Sequence, residues 1–173
     1  MRWKNGQGST TELWVDPPSA DVDAFDVRLS IATVRASGAF SSFPGVERVI
    51  LQLEGPPMTL HHEGHGETRL TLLVPHRFAG EWVTHARVPA PLRDFTLMVR
   101  RASGRGTLEV WRGPGDHSLR GEGTNALYVL AGAVSARAAD LEVTVREGHL
   151  LLAGPAIVSL AAESVVIAAR VVA

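Results

Sequence analysis

Apolar positions along this chain recur at every second residue or in short unbroken runs. They almost never show the spacing of three and four that one face of a helix requires. Runs rich in Val, Ile and Leu, cut by Gly and Pro, predict strands over 25–34 (FDVRLSIATV), 48–55 (RVILQLEG), 58–63 (MTLHHE) and 69–74 (RLTLLV). Further strands are predicted over 95–101 (FTLMVRR), 108–112 (LEVWR), 126–132 (ALYVLAG) and 141–146 (LEVTVR). The C-terminal stretch LLLAGPAIVSLAAESVVIAARVVA is apolar enough to suggest a membrane span. Gly154 and Pro155 interrupt it, Glu163 sits within it and β-branched residues dominate its end, so it predicts two buried strands instead. Many short strands at even spacing predict an all-β sandwich or jelly roll.

The pattern repeats once. VILQLEGPPMTL (49–60) resembles ALYVLAGAVSAR (126–137), RFAGEWVTHARV parallels LLLAGPAIVSLA, and FTLMVRR parallels VVIAARV, with offsets of about 70 to 77 residues. One copy alone would expose an apolar sheet face that a second copy can bury. The expected organisation is a first module over 1–101, which includes the N-terminal strand, and a second over 108–173, with ASGRGT (102–107) near the junction.

Composition narrows the function. The 173 residues are 45% hydrophobic and 20% charged, with a formal net charge of −1. That fits a packed globular body and provides no field to attract nucleic acid or an anionic membrane, so neither partner is expected. The basic cluster RRASGR (100–105) lacks an aromatic stacking platform and reads as a solvated linker. The absence of cysteine removes disulfides, thiolate zinc sites and iron–sulfur clusters. Without a leader pattern at the start, the cytoplasm is the expected compartment. No serine-hydrolase elbow, Walker loop, H-E-x-x-H or dinucleotide fingerprint occurs.

Two constellations carry chemistry. HHEGHGE (61–67) holds metal-ligand residue types, but the adjacent His61 and His62 point to opposite faces of a strand. Gly64 and Gly66 break that strand and place His65 and Glu67 at a hairpin tip. His62, His65 and Glu67 could hold a metal only as a loop. A solvated turn is the favoured reading, and no cofactor is expected.

The second constellation is a set of polar residues on apolar strands. Arg28 and Ser30 share a face opposite Val27, Leu29 and Ile31; Arg48 and Gln52 lie opposite Val49, Leu51 and Leu53; Thr96 and Met98 oppose Phe95 and Leu97. A half-exposed sandwich would turn these residues outward. Turned inward, the arginines would offer planar paired donors to a carboxylate, beside an aromatic wall such as Phe43 or Trp3. A buried guanidinium costs several kcal/mol if unpaired. Each arginine therefore needs a ligand or one of Glu12, Glu47 and Asp94.

Four blocks, RWKNGQGSTTEL (2–13), RLSIATV (28–34), GAFSSFPGVERVI (38–50) and RDFTLMVRR (93–101), resemble in order and spacing the HutD/Ves family of histidine-utilisation proteins. The strand–Gly–strand unit is similar to a cupin module. The blocks cover most of the first hundred residues; the second half matches by strand pattern alone. The resemblance implies an all-β fold of two fused cupin (jelly-roll) modules, a bicupin. It also implies a cytoplasmic bacterial protein of histidine breakdown, without established catalysis, binding a small anionic metabolite of the urocanate or formylglutamate type. The chain departs from the family pattern at Gln7, where the middle of three glycines is usual, and at Thr96, where the family has Asn.

The expected ligand-binding set is Lys4, Asn5, Thr10, Glu12, Arg28, Ser30, Phe43, Arg48 and Thr96. Trp3 would anchor the N-terminal strand while Gly6 and Gly8 allow close backbone approach. An edge strand whose Trp fills a gap between modules accounts for that terminus equally well. Three functions stand as expectations. The first is a non-catalytic binding or regulatory protein. The second is a metal-dependent cupin enzyme using the His61–Glu67 cluster. The third is an interaction protein whose sheets pair, for example as a homodimer covering the Arg28 and Arg48 face.

Overall fold

Period-two patterning and Gly/Pro punctuation leave the chain no route to a helix, and every regular element among the described residues is a strand. The computed structural model describes residues 3, 6–18, 20–21 and 24–173. The chain divides into two units, Met1–Arg105 and Gly106–Ala173.

The first unit holds β1 (Gly8–Asp16), β2 (Val27–Val34), β3 (Gly38–Ala39), β4 (Val46–Glu54), β5 (Thr59–His62), β6 (Gly66–Arg69), β7 (His76–Ala79), β8 (Thr84–Arg87) and β9 (Leu92–Arg100). They form two antiparallel sheets, ordered β1-β2-β9-β4-β7 and β3-β8-β5-β6. A core drawn from both sheets contains Val34, Ile50, Met58, Leu60, Phe78 and Leu92, all buried. Removing each such side chain from water contributes roughly 1.5–3 kcal/mol. The other face of β2, β4 and β9, with Leu29, Leu51, Phe95 and Leu97, is buried as well. These strands therefore lack the outward polar face of a half-exposed sandwich.

The second unit holds β10 (Arg105–Arg112), β11 (Gly115–Leu119), β12 (Thr124–Ala131), β13 (Ala133–Ala138), β14 (Leu141–Arg146), β15 (Leu150–Ala153), β16 (Ala156–Leu160) and β17 (Val165–Val172). Its sheets run β10-β17-β12-β15 and β11-β16-β13-β14 around Leu127, Val129, Val134, Val158 and Val166. No helix long and apolar enough to cross a membrane occurs among the described residues.

Two strand predictions need correction. The run 69–74 is not a strand: β6 ends at Arg69, Leu73 takes a left-handed φ of 58°, and Leu72 and Val74 stand half-exposed. Their apolar character does not reflect a pleated, buried face. The C-terminal stretch contains three strands, β15 to β17, because Gly154–Pro155 and the turn before Val165 each reverse the chain.

The N-terminal segment is tied down by its own hydrogen bonds. The Trp3 backbone N–H donates to the Gly8 carbonyl at 3.0 Å, and its indole N–H donates to Thr10 Oγ1 at 2.8 Å. A Cβ on Gly8 would lie 2.5 Å from the Thr33 carbonyl oxygen and 2.9 Å from the Trp3 ring, so the close approach of ring and strand requires glycine there. Gly8→Ala should therefore destabilise the protein by about 1–3 kcal/mol. A denaturation midpoint unchanged from wild type would show that the indole is not held against β1.

Candidate ligand-binding site

Register fixes which side chains share the inner face of the first unit's larger sheet. One row runs Arg28, Met98, Arg48 and Phe78 across β2, β9, β4 and β7. The next runs Glu12, Ser30, Thr96, Ile50 and His76 from β1 to β7. A third runs Thr10, Ala32, Asp94 and Gln52. Because side chains alternate along a strand, these polar residues sit opposite the buried Leu29, Leu51, Phe95 and Leu97 and face the second sheet. Of these, Thr10, Arg28, Ser30, Arg48, Asp94 and Thr96 line a cavity of about 410 Å³ whose far side includes Gly38, Ala39, Phe40, Ser41 and Ala86.

Of the expected residues, Thr10, Arg28, Ser30, Phe43, Arg48 and Thr96 lie on that lining, as does Trp3. Lys4 and Asn5 fall outside the described residues. Glu12 is not on the lining: its Oε2 accepts a hydrogen bond from Arg28 Nε at 2.9 Å, so it serves the arginine and not the hollow. Gln7 lines the cavity with its side-chain oxygen close over Gly38, so this departure from the glycine run alters the wall.

Arg48 has a different environment from Arg28. It is 8% exposed, and among the described residues no carboxylate lies within ion-pair distance of it. Its guanidinium carbon sits 4.9, 5.0 and 5.6 Å from the ring centres of Phe40, Phe78 and Phe43, a three-sided aromatic cage. Cation–π attraction offsets part of the dehydration cost. Nη1 donates to the Ser41 carbonyl at 3.2 Å, while Nε is buried with no hydrogen-bond partner among the described residues. Burial pulls the guanidinium down to about 10; the Asp94 charge opposes that shift and Arg28 adds to it. At neutral pH the group remains a cation.

Asp94 is the acidic counterpart. It is 3% exposed, lines the cavity and accepts a hydrogen bond from Thr96 Oγ1 at 3.1 Å. Burial raises its carboxyl to about 6, against the lowering effects of Thr96 and Arg48. Gln52 has a structural role: its Nε2 donates to the Gly55 and Pro56 carbonyls and its Oε1 accepts the Met58 N–H.

The expected alternative, a metal cluster of His62, His65 and Glu67, does not form. His62 points inward and is 2% exposed, not part of a solvated turn. His65 stacks on Trp82 with ring centres 3.9 Å apart, and Glu67 pairs with Arg87. No group of metal-ligating residues gathers among the described residues. His62 instead joins a hydrogen-bonded chain. Thr84 Oγ1 donates to the Trp82 carbonyl at 3.1 Å, so it must accept from His62 Nδ1 at 2.9 Å. His62 Nε2 is then the acceptor for His76 Nε2–H at 3.1 Å. Burial first, then the nearby His76, pushes His62 down to about 4.

Phe40, Ser41, Phe78 and Asp94 join the lining or the cage without belonging to the expected set. Asp94 was legible, since it lies two residues before Thr96 on the same face of a strand. Neither Phe40, in the segment after β3, nor Phe78, on β7, was assigned to the site, because an aromatic residue type does not say which side chain it will touch.

The HutD family model matches residues 1–168. A 21.2 kDa protein encoded in the hutC 3' region of Pseudomonas putida is 34% identical over 146 residues, which are 84% of this chain and 71% of that protein. A conserved protein of unknown function from Pseudomonas aeruginosa PAO1, PA5104, is 29% identical with a TM-score of 0.91, covering 100% of this chain and 93% of the other. HutD from Pseudomonas fluorescens SBW25 is 28% identical with a TM-score of 0.76, covering 100% and 94%. A cupin 2 conserved barrel domain protein from Leptotrichia buccalis is similar in fold at 9% identity, with a TM-score of 0.64 over 100% of this chain and 92% of that one. The all-β architecture of this chain is thus a cupin fold of the bicupin kind.

His62 and Asp94 give stability opposite pH dependences. The His62 contribution is fully present above its unfolded value of 6.5 and is lost as pH falls towards 4. Asp94 holds its proton more tightly when folded, so stability is lost as pH rises from its unfolded value of 3.8 through about 6. A tenfold difference in proton affinity between the folded and unfolded states corresponds to about 1.4 kcal/mol. In denaturant titrations between pH 4 and 7.5, Asp94→Asn should gain on wild type as pH rises, and His62→Gln should gain as pH falls. Parallel stability–pH curves for all three proteins would remove both assignments.

Proposed function

The chain belongs to the HutD family, and on that premise we propose that its first unit binds a small anionic metabolite through a carboxylate without transforming it. The observation that carries this reading is Arg48, a buried cation with a bare Nε and no carboxylate partner among the described residues. Stability alone gives little reason to keep such a group, since an apolar side chain of similar volume often packs in its place at no cost. A ligand carboxylate supplies the missing charge, and the flat guanidinium suits it. Ser30, Thr10 and Thr96 offer hydroxyls around it, and Phe40, Phe43 and Met98 offer apolar walls. The volume of about 410 Å³ suits a molecule of metabolite size.

The described lining contains no His, Cys or Lys, and its one carboxylate, Asp94, accepts a hydrogen bond from Thr96, so no nucleophile–base pair of the usual kind supports turnover. The names of the relatives, HutD and a protein from the hutC 3' region, point to histidine utilisation and make urocanate and N-formylglutamate the probes of choice. Binding without turnover is what sequestering or sensing such a metabolite requires.

Titration calorimetry with both acids, on wild type and Arg48→Met, tests the reading. Wild type should bind at least one of them, and the variant should bind it about 10–100-fold more weakly. Because the lost cation is buried without a carboxylate partner among the described residues, Arg48→Met should melt no lower than wild type. Unchanged affinity in the variant, or no heat with either acid, would overturn the proposal. Weak binding together with a much lower melting temperature would make the arginine structural.

A further inference from the structure

Resting on the binding reading above, we propose that an anion entering the cavity is taken up together with a proton from solvent, and that this proton lodges on the Asp94 carboxyl. The argument begins with the charges that face the hollow. Glu12 from β1 and Arg28 from β2 neutralise each other in direct contact at 2.9 Å. Arg48 from β4 and Asp94 from β9 touch no opposite charge among the described residues, and they balance only through space. The smaller sheet gives the lining Gly38, Ala39 and Ala86, none of which titrates. His76 on β7 and His62 on β5 also turn inward, bonded to each other. Gln52, the neighbour of Asp94 on β4, is neutral and fully engaged.

In the empty cavity, one buried cation faces one buried anion. A carboxylate docked on Arg48 makes two anions around a single unpaired cation, in surroundings where each is poorly solvated. Like charges sharing a dry site raise the proton affinity of one of them. Asp94 is the group that can respond, since Glu12 is held by Arg28 and half in water. Once protonated, its carboxyl can also donate a hydrogen bond into the cavity, as a neutral acid in an apolar site does. When the ligand leaves, the proton returns to solvent. Burial already holds this carboxyl near 6, so the further rise on binding falls across the neutral range.

Linkage makes the effect reciprocal: if the anion raises proton affinity, acidification raises anion affinity. N-formylglutamate is the probe, because it has no group titrating between pH 6 and 8. Its affinity for wild type should rise roughly tenfold from pH 8 to pH 6. Calorimetry at pH 7 in buffers of different ionisation enthalpy should show net proton uptake, approaching one proton per ligand. In Asp94→Asn the pH dependence should flatten and the affinity at pH 8 should exceed that of wild type. His62 and His76 are both pushed down by burial, and a pH dependence that persists in Asp94→Asn would assign it to them and overturn the proposal. Binding by wild type with no proton uptake and no pH dependence would also overturn it, while leaving the binding reading intact. Absence of binding at every pH would remove both.

Discussion

A guanidinium ion moved out of water loses several kcal/mol of hydration unless an anion or a full set of acceptors replaces it. In the first unit that replacement is incomplete. Among the described residues, three phenyl rings surround Arg48, the Ser41 carbonyl accepts from Nη1, and Nε has no hydrogen-bond partner. Much else in the unit follows from keeping that ion in place. Phe78 on β7 and Phe40 and Phe43 in the segment after β3 must converge on one point between the sheets, which fixes where those elements run. Met98 separates the two arginines along the row, and the small residues Gly38, Ala39 and Ala86 opposite leave the interior hollow where larger ones would fill it.

The remaining buried polar groups show the contrast. Gln52 satisfies its amide on the loop that leads into β5, and the Thr96 hydroxyl donates a hydrogen bond to Asp94. Thr84 orders the tautomers of His62 and, through it, His76. Arg28 has Glu12. These are the ordinary terms on which polar atoms enter a protein interior. Arg48 departs from them, and it does so on the wall of a cavity. A site of unmet bonding potential within a rigid frame is how a fold trades stability for recognition. On the reading proposed above, a ligand carboxylate would supply the charge that this guanidinium lacks among the described residues.

The sequence was most informative where alternation was strict. Arg28/Ser30, Arg48/Gln52 and Thr96/Met98 each share a strand face by spacing alone, and the registers of β2, β9 and β4 bring those faces side by side. It was least informative where hydrophobicity lacked a second cue. The apolar run over 69–74 misled because Leu72 and Val74 are exposed, and the C-terminal stretch hid one more reversal than its composition suggested. His62 misled in the other direction. Its predicted place in a strand holds, since it is the last residue of β5, but the solvated surroundings expected for the cluster do not, because its ring turns into the core.

What this sequence determined by itself was the all-β class, the paired faces of the strands, and the family through its first hundred residues. These properties are local, because a strand's alternation and a motif's spacing survive without knowledge of what packs above them. Tertiary structure alone decided that the polar face turns inward, that Glu12 answers Arg28, and that three phenylalanines and, among the described residues, no carboxylate answer Arg48. Those outcomes depend on contacts between residues far apart in the chain. The energy of a buried charge depends on what surrounds it in three dimensions, and no one-dimensional pattern encodes that.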